Sequence, residues 1–236
     1  MDTQDEFVDC KCPYCGVAAS FRRDVAGLGE DCPEGTATLI VPRDGAEVAG
    51  ALPLPITMPR VLLRRPRPTD WKDLLEFLGN PELFRYAGTD PRTEEALVKW
   101  LEEDQWVKLT TPDATFSLAI EHASDKKAIG IIYFSFIQGD KCQGSFTIYV
   151  SPKFQRQGFG TEALEGLLDF CFNGISLHRI STACNSENTA SAGLLKKVGM
   201  RREGEFLQDQ MLNGAWANTT YYAMLAEEHA KARQAT

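Results

Sequence analysis

The 236-residue sequence predicts an α+β domain built on a mixed, mostly antiparallel sheet. Two observations carry that prediction. β-prone runs follow one another across short turns in the middle of the chain, which makes them antiparallel neighbours. After them the pattern changes to strand, helix, strand, helix, and one such crossover forces a parallel pair into the sheet.

The elements read in order as follows. Residues 10–42 are rich in Gly, Pro and Cys and end in the β-prone Thr38-Leu39-Ile40-Val41, too little for an apolar core. Residues 44–59 hold Ala, Gly, Pro and short apolar side chains with no clear period and read as a linker. Val61 to Arg64 is a first strand. Thr69 suits the N-cap of a helix with Trp71, Leu74, Leu75 and Leu78 at helical spacing, stopped by Gly79-Asn80-Pro81. A second helix opens at Thr93, with Glu94 and Glu95 in its first turn. Thr115 to Glu121, Ala128 to Ile137 and Ser145 to Val150 alternate as strands. Gly160 to Phe172 is a helix, Arg179 to Ala183 a strand and Asn188 to Val198 a helix. Arg201 to Leu212 and Trp216 to Leu225 form a hairpin closed by Asn213-Gly214, a strong turn signal. The polar residues after Glu227 read as a frayed tail.

Composition excludes several classes. No apolar run reaches the roughly 18 residues of a membrane helix, and the acidic N-terminus is unlike a signal peptide. The expectation is a cytoplasmic protein. A net charge of −8 opposes general affinity for nucleic acid. Arg60, Arg64, Arg65 and Arg67 make a local basic cluster, which reads as a solvated face. The three histidines, His122, His178 and His229, sit in no nucleophile motif.

The most informative segment runs from Phe146 through Gln155-Arg156-Gln157-Gly158-Phe159-Gly160-Thr161 to Ala163. A strand leads into a loop carrying Lys153 and Arg156, and two glycines open a helix. Glycines let backbone N–H groups converge on an anion, and the helix start adds partial positive charge. A phosphate or pyrophosphate fits there. Gly158-Phe-Gly160-Thr-Glu-Ala163 also satisfies the loose dinucleotide pattern. Against it, seven residues separate Val150 from Gly158, and the next strand ends in Cys184-Asn185 with no acid for a ribose. A second constellation, Asn185, Asn188 and Ser191, follows that strand. Asn188 and Ser191, three apart, can face one side of a helix start as ligand contacts; the plain alternative is N-capping, with Asn188 or Ser186 satisfying first-turn N–H groups.

These residues resemble the GNAT superfamily of N-acetyltransferases, in the branch similar to the ribosomal-protein acetyltransferases RimJ and RimL. The likeness rests on Gln155-Arg-Gln-Gly158-Phe-Gly160, on Leu63-Arg64-Arg65 through Asp70, on Thr161-Glu-Ala-Leu and on His178-Arg-Ile. It continues in Glu187-Asn188-Thr-Ala-Ser191, Leu195-Lys-Lys-Val-Gly199-Met and Arg202-Glu203-Gly204, covering about 170 residues in order. The resemblance implies a GNAT fold: a mixed, mostly antiparallel sheet, splayed in the middle, with helices on both faces. It implies acetyl-CoA as cosubstrate, with the pyrophosphate on residues 156–161 and Gln155 to Thr161 forming the binding loop: Gln155, Arg156, Gln157, Gly158, Phe159, Gly160 and Thr161. Main-chain groups from Ile148 to Val150 would hold the pantetheine arm, and Asn188 and Ser191 would meet its far end.

Such enzymes let an acceptor amine attack the thioester directly, which requires a neutral amine, a stabilised oxyanion and a protonated leaving thiolate. The acceptor is a primary amine, of a protein N-terminus or a small molecule. Glu203 is the candidate base, or else an exposed strand glutamate. Ser191 is the candidate acid, with Tyr149 and Tyr222 as rivals. The chain departs from the branch at Ser145-Phe-Thr147, where an acid and then a glycine are common, and at Trp216-Ala-Asn218, where an Asp is usual. Both departures lie near the acceptor, so the substrate of a relative does not transfer. A second reading is a catalytically weak, CoA-sensing or partner-binding protein on the same scaffold; a homodimer fits either.

Of seven cysteines, Cys10, Cys12, Cys15 and Cys32 cluster early, while Cys142, Cys171 and Cys184 read as small buried hydrophobes. Cys12-Pro-Tyr-Cys15-Gly resembles one knuckle of a zinc ribbon. The second knuckle, Cys32-Pro33-Glu34-Gly35, lacks its second cysteine, so either Cys10, Glu34 or water completes the set or the site is degenerate and empty. A redox Cys-x-x-Cys is disfavoured by the absence of a surrounding βαβ pattern. The organisation expected is a zinc-ribbon-like module at 1–45, a linker at 46–58, the GNAT domain at 59–228 and a tail at 229–236.

Overall fold

A computed structural model describes residues 54–104, 115–137 and 140–234, together with the backbone of four short strands nearer the N-terminus. Those strands pair as two antiparallel hairpins, β1 (Phe7–Lys11) with β2 (Ala18–Arg22) and β3 (Gly29–Asp31) with β4 (Thr38–Ile40). Cys10 belongs to β1. Cys12, Cys15 and Cys32, the other expected metal ligands, lie outside the described residues. Among the described residues no group of three His, Cys, Asp or Glu side chains is placed to hold a metal.

The main domain runs β5 (Ile56–Thr57), β6 (Val61–Arg64), α1 (Trp71–Leu78), α2 (Glu94–Asp104), β7 (Thr115–His122), β8 (Ala128–Ile137) and β9 (Asp140–Val150). It continues with α3 (Phe159–Asp169), β10 (Arg179–Asn185), α4 (Thr189–Lys197), β11 (Arg201–Leu212), β12 (Ala215–Leu225) and α5 (Ala226–Gln234). The strands form one sheet in the order β11-β12-β10-β9-β8-β7-β6-β5. Among the described residues every pairing in it is antiparallel except β9 with β10, the parallel pair that the crossover through α3 requires.

The sheet is buried on both faces in its centre, and β8 shows why. Alternate side chains of a strand point to opposite faces. Ile132, Phe134 and Phe136 join the core under α3 and α4 with Leu164, Leu167 and Leu195. Ile131 and Tyr133 turn the other way, onto Leu74, Phe77, Leu97 and Leu101 of α1 and α2. A strand filled on both faces reads as a continuous apolar run, as Ala-Ile-Gly-Ile-Ile-Tyr-Phe does. No helix among the described residues is long and apolar enough to cross a membrane.

Several boundaries differ from expectation for physical reasons. α1 is entered through a 3₁₀ turn, and the acceptor at its start is Asp70 rather than Thr69: Asp70 Oδ2 takes the Arg67 N–H at 2.7 Å. Arg64, expected on a solvated face, is buried, with its guanidinium on Asp70 at 2.7 and 2.9 Å and its Nε on Glu121 at 2.5 Å. That network ties β6, β7 and the start of α1 together, and removing one partner of such a buried set costs about 3–5 kcal/mol. The end of the expected linker adds β5 to the sheet edge against β6. β9 starts earlier than Ser145, and α3 ends in a π-helical turn, Phe170–Gly174. The segment expected to fray is helix α5, anchored by buried His229 against Phe172 at 5.1 Å. Cys171 is fully buried and Cys184 half-buried, both as free thiols.

Candidate active site

The centre of the site is a fork. β9 and β10 pair only at Arg179 with Gln143, Ile180 with Gly144 and Ser181 with Ser145. The last tie is a side chain, Thr182 Oγ1 donating to the Phe146 carbonyl at 2.7 Å. Beyond it β9 continues to Val150 held by β8 alone, and β10 continues to Asn185 held by β12 alone. The sheet is therefore split toward the C-terminal ends of its two parallel strands, the splay that the sequence motifs implied.

The loop after β9 borders that split. Its first amides are spent on ordinary turns: Ser151 N–H reaches the Ile129 carbonyl at 2.8 Å, Phe154 the Ser151 carbonyl at 2.8 Å and Gln155 the Pro152 carbonyl at 3.4 Å. From residue 156 to 161 no N–H has a hydrogen-bond acceptor among the described residues, and pairing resumes with Glu162 N–H on the Gly158 carbonyl at 3.0 Å. Gly158 makes this possible. It caps α3 at φ 88° with no side-chain acceptor, a conformation costly for any residue with a Cβ. Six adjacent N–H groups at a helix start, with the helix dipole behind them, form an anion cradle.

The loop is held from its other side. Gln155 Nε2 donates to the Val150 carbonyl at 2.9 Å and Gln157 Nε2 to the Lys153 carbonyl at 2.8 Å, while Lys153 itself pairs with Glu76 of α1. Arg60 donates from its backbone N–H and from Nε to Glu162, at 2.5 and 2.7 Å, and from Nη1 to the Gln157 carbonyl at 3.0 Å. Gly160 sits between both lips: a Cβ there would stand in ordinary contact with Val150 Cγ2 at 3.4 Å and with Leu194 of α4 at 3.5 Å.

α4 begins differently. Asn188 is its N-cap, and Asn188 Oδ1 accepts from Ser191 N–H at 3.1 Å. Asn185 Oδ1 accepts from Glu187 N–H at 2.9 Å. Asn188 thus has the capping role that the sequence left open, and Asn185 closes the turn that precedes it. Ser191 is half-buried, and among the described residues its hydroxyl has no partner.

The register separates the candidate proton donors. Ile148 and Val150 pack with the α3 and α4 core, and Tyr149 points the other way, onto Phe84 at 5.3 Å. Tyr149 shares its face with Ala183 of β10 and, across the pairing of Ala183 with Tyr221, with the stacked pair Phe206 and Tyr221 at 4.7 Å. Burial pushes the Tyr149 hydroxyl up from its ordinary value, with Thr89 and Arg92 opposing, so the phenol is protonated at neutral pH. Tyr222 lies on the opposite face, beside a hollow of about 350 Å³ between α4 and the β11–β12 pair.

Glu203 has a setting unlike that of a base. Arg179 clasps its carboxylate at 2.8 and 2.5 Å, and Arg201 adds a bond at 2.6 Å. The Arg179 bonds, opposed by partial desolvation and joined by Arg201, hold it down at about 2. A group that acidic has little affinity for an amine proton. The sequence showed the charged run 201–205 but not Arg179, which only the order β10-β12-β11 brings alongside.

Sequence reasoning also missed the Arg60–Glu162 pair and the outer wall of the site. Leu212, near the hairpin tip, approaches Gly88, and Asn213 Nδ2 donates to the Arg85 carbonyl at 3.2 Å, so the β11–β12 hairpin touches the α1–α2 connection. The exposed aromatics Phe206, Trp216 and Tyr221 were the available signal.

Residues 60–201 match the family described as acetyltransferase (GNAT) domain. The chain is 29% identical over 173 residues to the uncharacterized N-acetyltransferase YnaD of Bacillus subtilis, a span of 73% of this chain and 98% of that protein. The fold is similar to that of an acetyltransferase (GNAT family) from Bacillus anthracis, with TM-score 0.66 and 26% identity over 74% of this chain and 99% of that one. It shares its fold with spermidine N-acetyltransferase from Vibrio cholerae in complex with CoA and spermine, at TM-score 0.63 and 20% identity over 72% and 98% of the two chains. The matched segment runs from Arg60 through the fork, the amide loop and both helix starts, and the chain belongs to the GNAT family as an acyltransferase that depends on acetyl-CoA.

Proposed function

We propose that the enzyme transfers the acetyl group to a primary amine, borne by a protein N-terminus or a small molecule, by direct attack in the fork between β9 and β10. The observation that supports this reading is the run of unpaired amides at 156–161 lying against a split in the sheet. A diphosphate needs several convergent donors, and the left-handed turn at Gly158 leaves the N–H groups around it unpaired among the described residues. Acetyl-CoA, held there, supplies an activated thioester.

The chain's own groups then divide the work. Main-chain groups at Ile148, Tyr149 and Val150, on a strand edge without a β10 partner, align the arm and donate toward the carbonyl oxygen. Ser191, at the first turn of α4, relays a proton to the departing sulfur, giving up its own and taking one back from the water that receives the amine proton. Tyr149, neutral and on the opposite face, holds the acceptor near the fork and is the alternative donor. Glu203 serves as an ion-pair strut for β10 and β11, and the amine proton passes to water in this scheme. The rate therefore climbs with pH toward the amine's own pKa, with no limb from Glu203.

Residues 1–45 form, in this reading, a zinc-ribbon-like module preceding the transferase domain. Its support is the sequence alone, the Cys12-Pro-Tyr-Cys15-Gly word and the Cys32-Pro33 that follows it at a distance.

Thermal-shift titration tests the cosubstrate first. Acetyl-CoA at about 100 times its dissociation constant adds about 2.7 kcal/mol of stability, and NAD adds none. Thioester turnover across peptides with free N-termini and a panel of small amines then assigns the acceptor. Binding without turnover on any amine would replace catalysis by CoA sensing.

A further inference from the structure

We infer that Arg60, at the entrance to β6, is a positioning residue for the diphosphate loop, and that it acts by neutralising Glu162 at the start of α3. The inference rests on the reading above that residues 156–161 receive a diphosphate.

Four contacts from one side chain and its own amide converge on residues 157–162, about a hundred positions away in sequence. The Arg60 backbone N–H and Nε take the two oxygens of Glu162, and Nη1 takes the Gln157 carbonyl. The guanidinium also lies over the Phe159 ring at 4.7 Å, and the edge of His122 approaches the same ring at 5.1 Å. Phe159, directly between Gly158 and Gly160, is thereby held by contacts with both a cation and an imidazole. Nη2 stands 3.0 Å from the point where a Cβ on Gly158 would fall, so the guanidinium occupies the space that glycine leaves.

Electrostatics gives the arrangement its purpose. Glu162 is in the first turn of α3 with a side chain only 10% exposed. A carboxylate at a helix start is favourable alone, but here it competes with a second anion for the same partial positive charge. With Arg60 bound in a two-point clasp, the pair is neutral and the helix start remains available to phosphate. Arg60 touches none of the reacting atoms; it acts through the loop.

The test is calorimetric titration of CoA into the wild type, R60M, E162Q, R60K and the double variant R60M/E162Q. It is joined by kcat/KM with acetyl-CoA and with S-acetylpantetheine, which lacks the diphosphate. R60M is expected to bind CoA on the order of tenfold more weakly, because Glu162 is left charged beside the anion. The double variant is expected to bind CoA more tightly than R60M, since the offending charge is gone. The R60M loss should vanish with S-acetylpantetheine. R60K, which keeps the charge without the stack and the Gln157 contact, should fall between wild type and R60M, and it carries the test if R60M does not fold. Unchanged CoA affinity in R60M and R60K, a double variant no better than R60M, or an equal loss with both thioesters would overturn the inference. Wild-type protein that uses the two thioesters equally well would instead remove the diphosphate reading itself.

Discussion

Two helices start side by side at the ends of the two parallel strands, and they treat their first amides in opposite ways. α3 begins at Gly158, which offers no side-chain acceptor, and leaves the N–H groups of residues 156–161 unpaired among the described residues. α4 begins at Asn188, whose side chain caps Ser191. A helix start must satisfy its orphan donors from side chains, water or ligand. The first helix keeps its donors for a ligand, and the second spends one on itself. In the proposed scheme binding falls to α3, and α4 presents the Ser191 hydroxyl.

That division orders the predictions. Ser191→Ala should lower kcat on the order of a hundredfold, the scale of a lost proton donor, while the dissociation constant of CoA stays put. Steady-state kinetics beside calorimetry reads the two apart, and a binding loss with unchanged kcat would exchange the roles of the helices. Gly158→Ala should do the reverse, weakening CoA at least about tenfold and lowering stability by about 1–2 kcal/mol, because φ 88° is strained for alanine and Arg60 must move. Asn188→Ala removes a cap and should cost about 1 kcal/mol in chemical denaturation, with only a small change in CoA affinity. If it weakened CoA as much as Gly158→Ala, the contrast between the two helix starts would fail.

The smallest effect belongs to Glu203. Its carboxyl is held at about 2 in the fold against an ordinary 4.5, so in acid the unfolded chain takes up the proton first. Its ion pairs therefore stabilise the protein above about pH 4.5 and are lost as pH falls toward about 2. Glu203→Gln should flatten the dependence of melting temperature on pH in that window and leave the shape of the pH–rate profile near neutrality unchanged. A vanished pH–rate limb in this variant would restore Glu203 as the base.

How much of this was legible in the sequence depended on how local the cause was. Gly158 and Gly160 are local: a glycine pair between a strand and a helix dictates its turn, and the loop followed from it, while the fork was implied by the family resemblance alone. The hairpin at Asn213-Gly214 closes for the same reason, with φ of 50° and 81° at the two turn residues. Arg64 was read as solvent-facing because its partner Glu121 is 57 residues distant, and the tie from the exposed Arg60 to Glu162 was missed because the two are 102 residues apart. Asp70 displaced Thr69 at the start of α1 because a buried arginine required a carboxylate there. Glu203 was chosen from a motif word, and its affinity for a proton is set by Arg179, which stands on another strand.

Backbone amide spectra of the ¹⁵N-labelled protein, titrated with CoA and separately with pantetheine, show whether the amides of residues 156–161 receive the diphosphate. CoA should move the signals of residues 156–161 strongly and those of residues 188–191 weakly, and pantetheine should leave the first group in place. Signals at 156–161 that stay still as CoA saturates the protein would contradict the account.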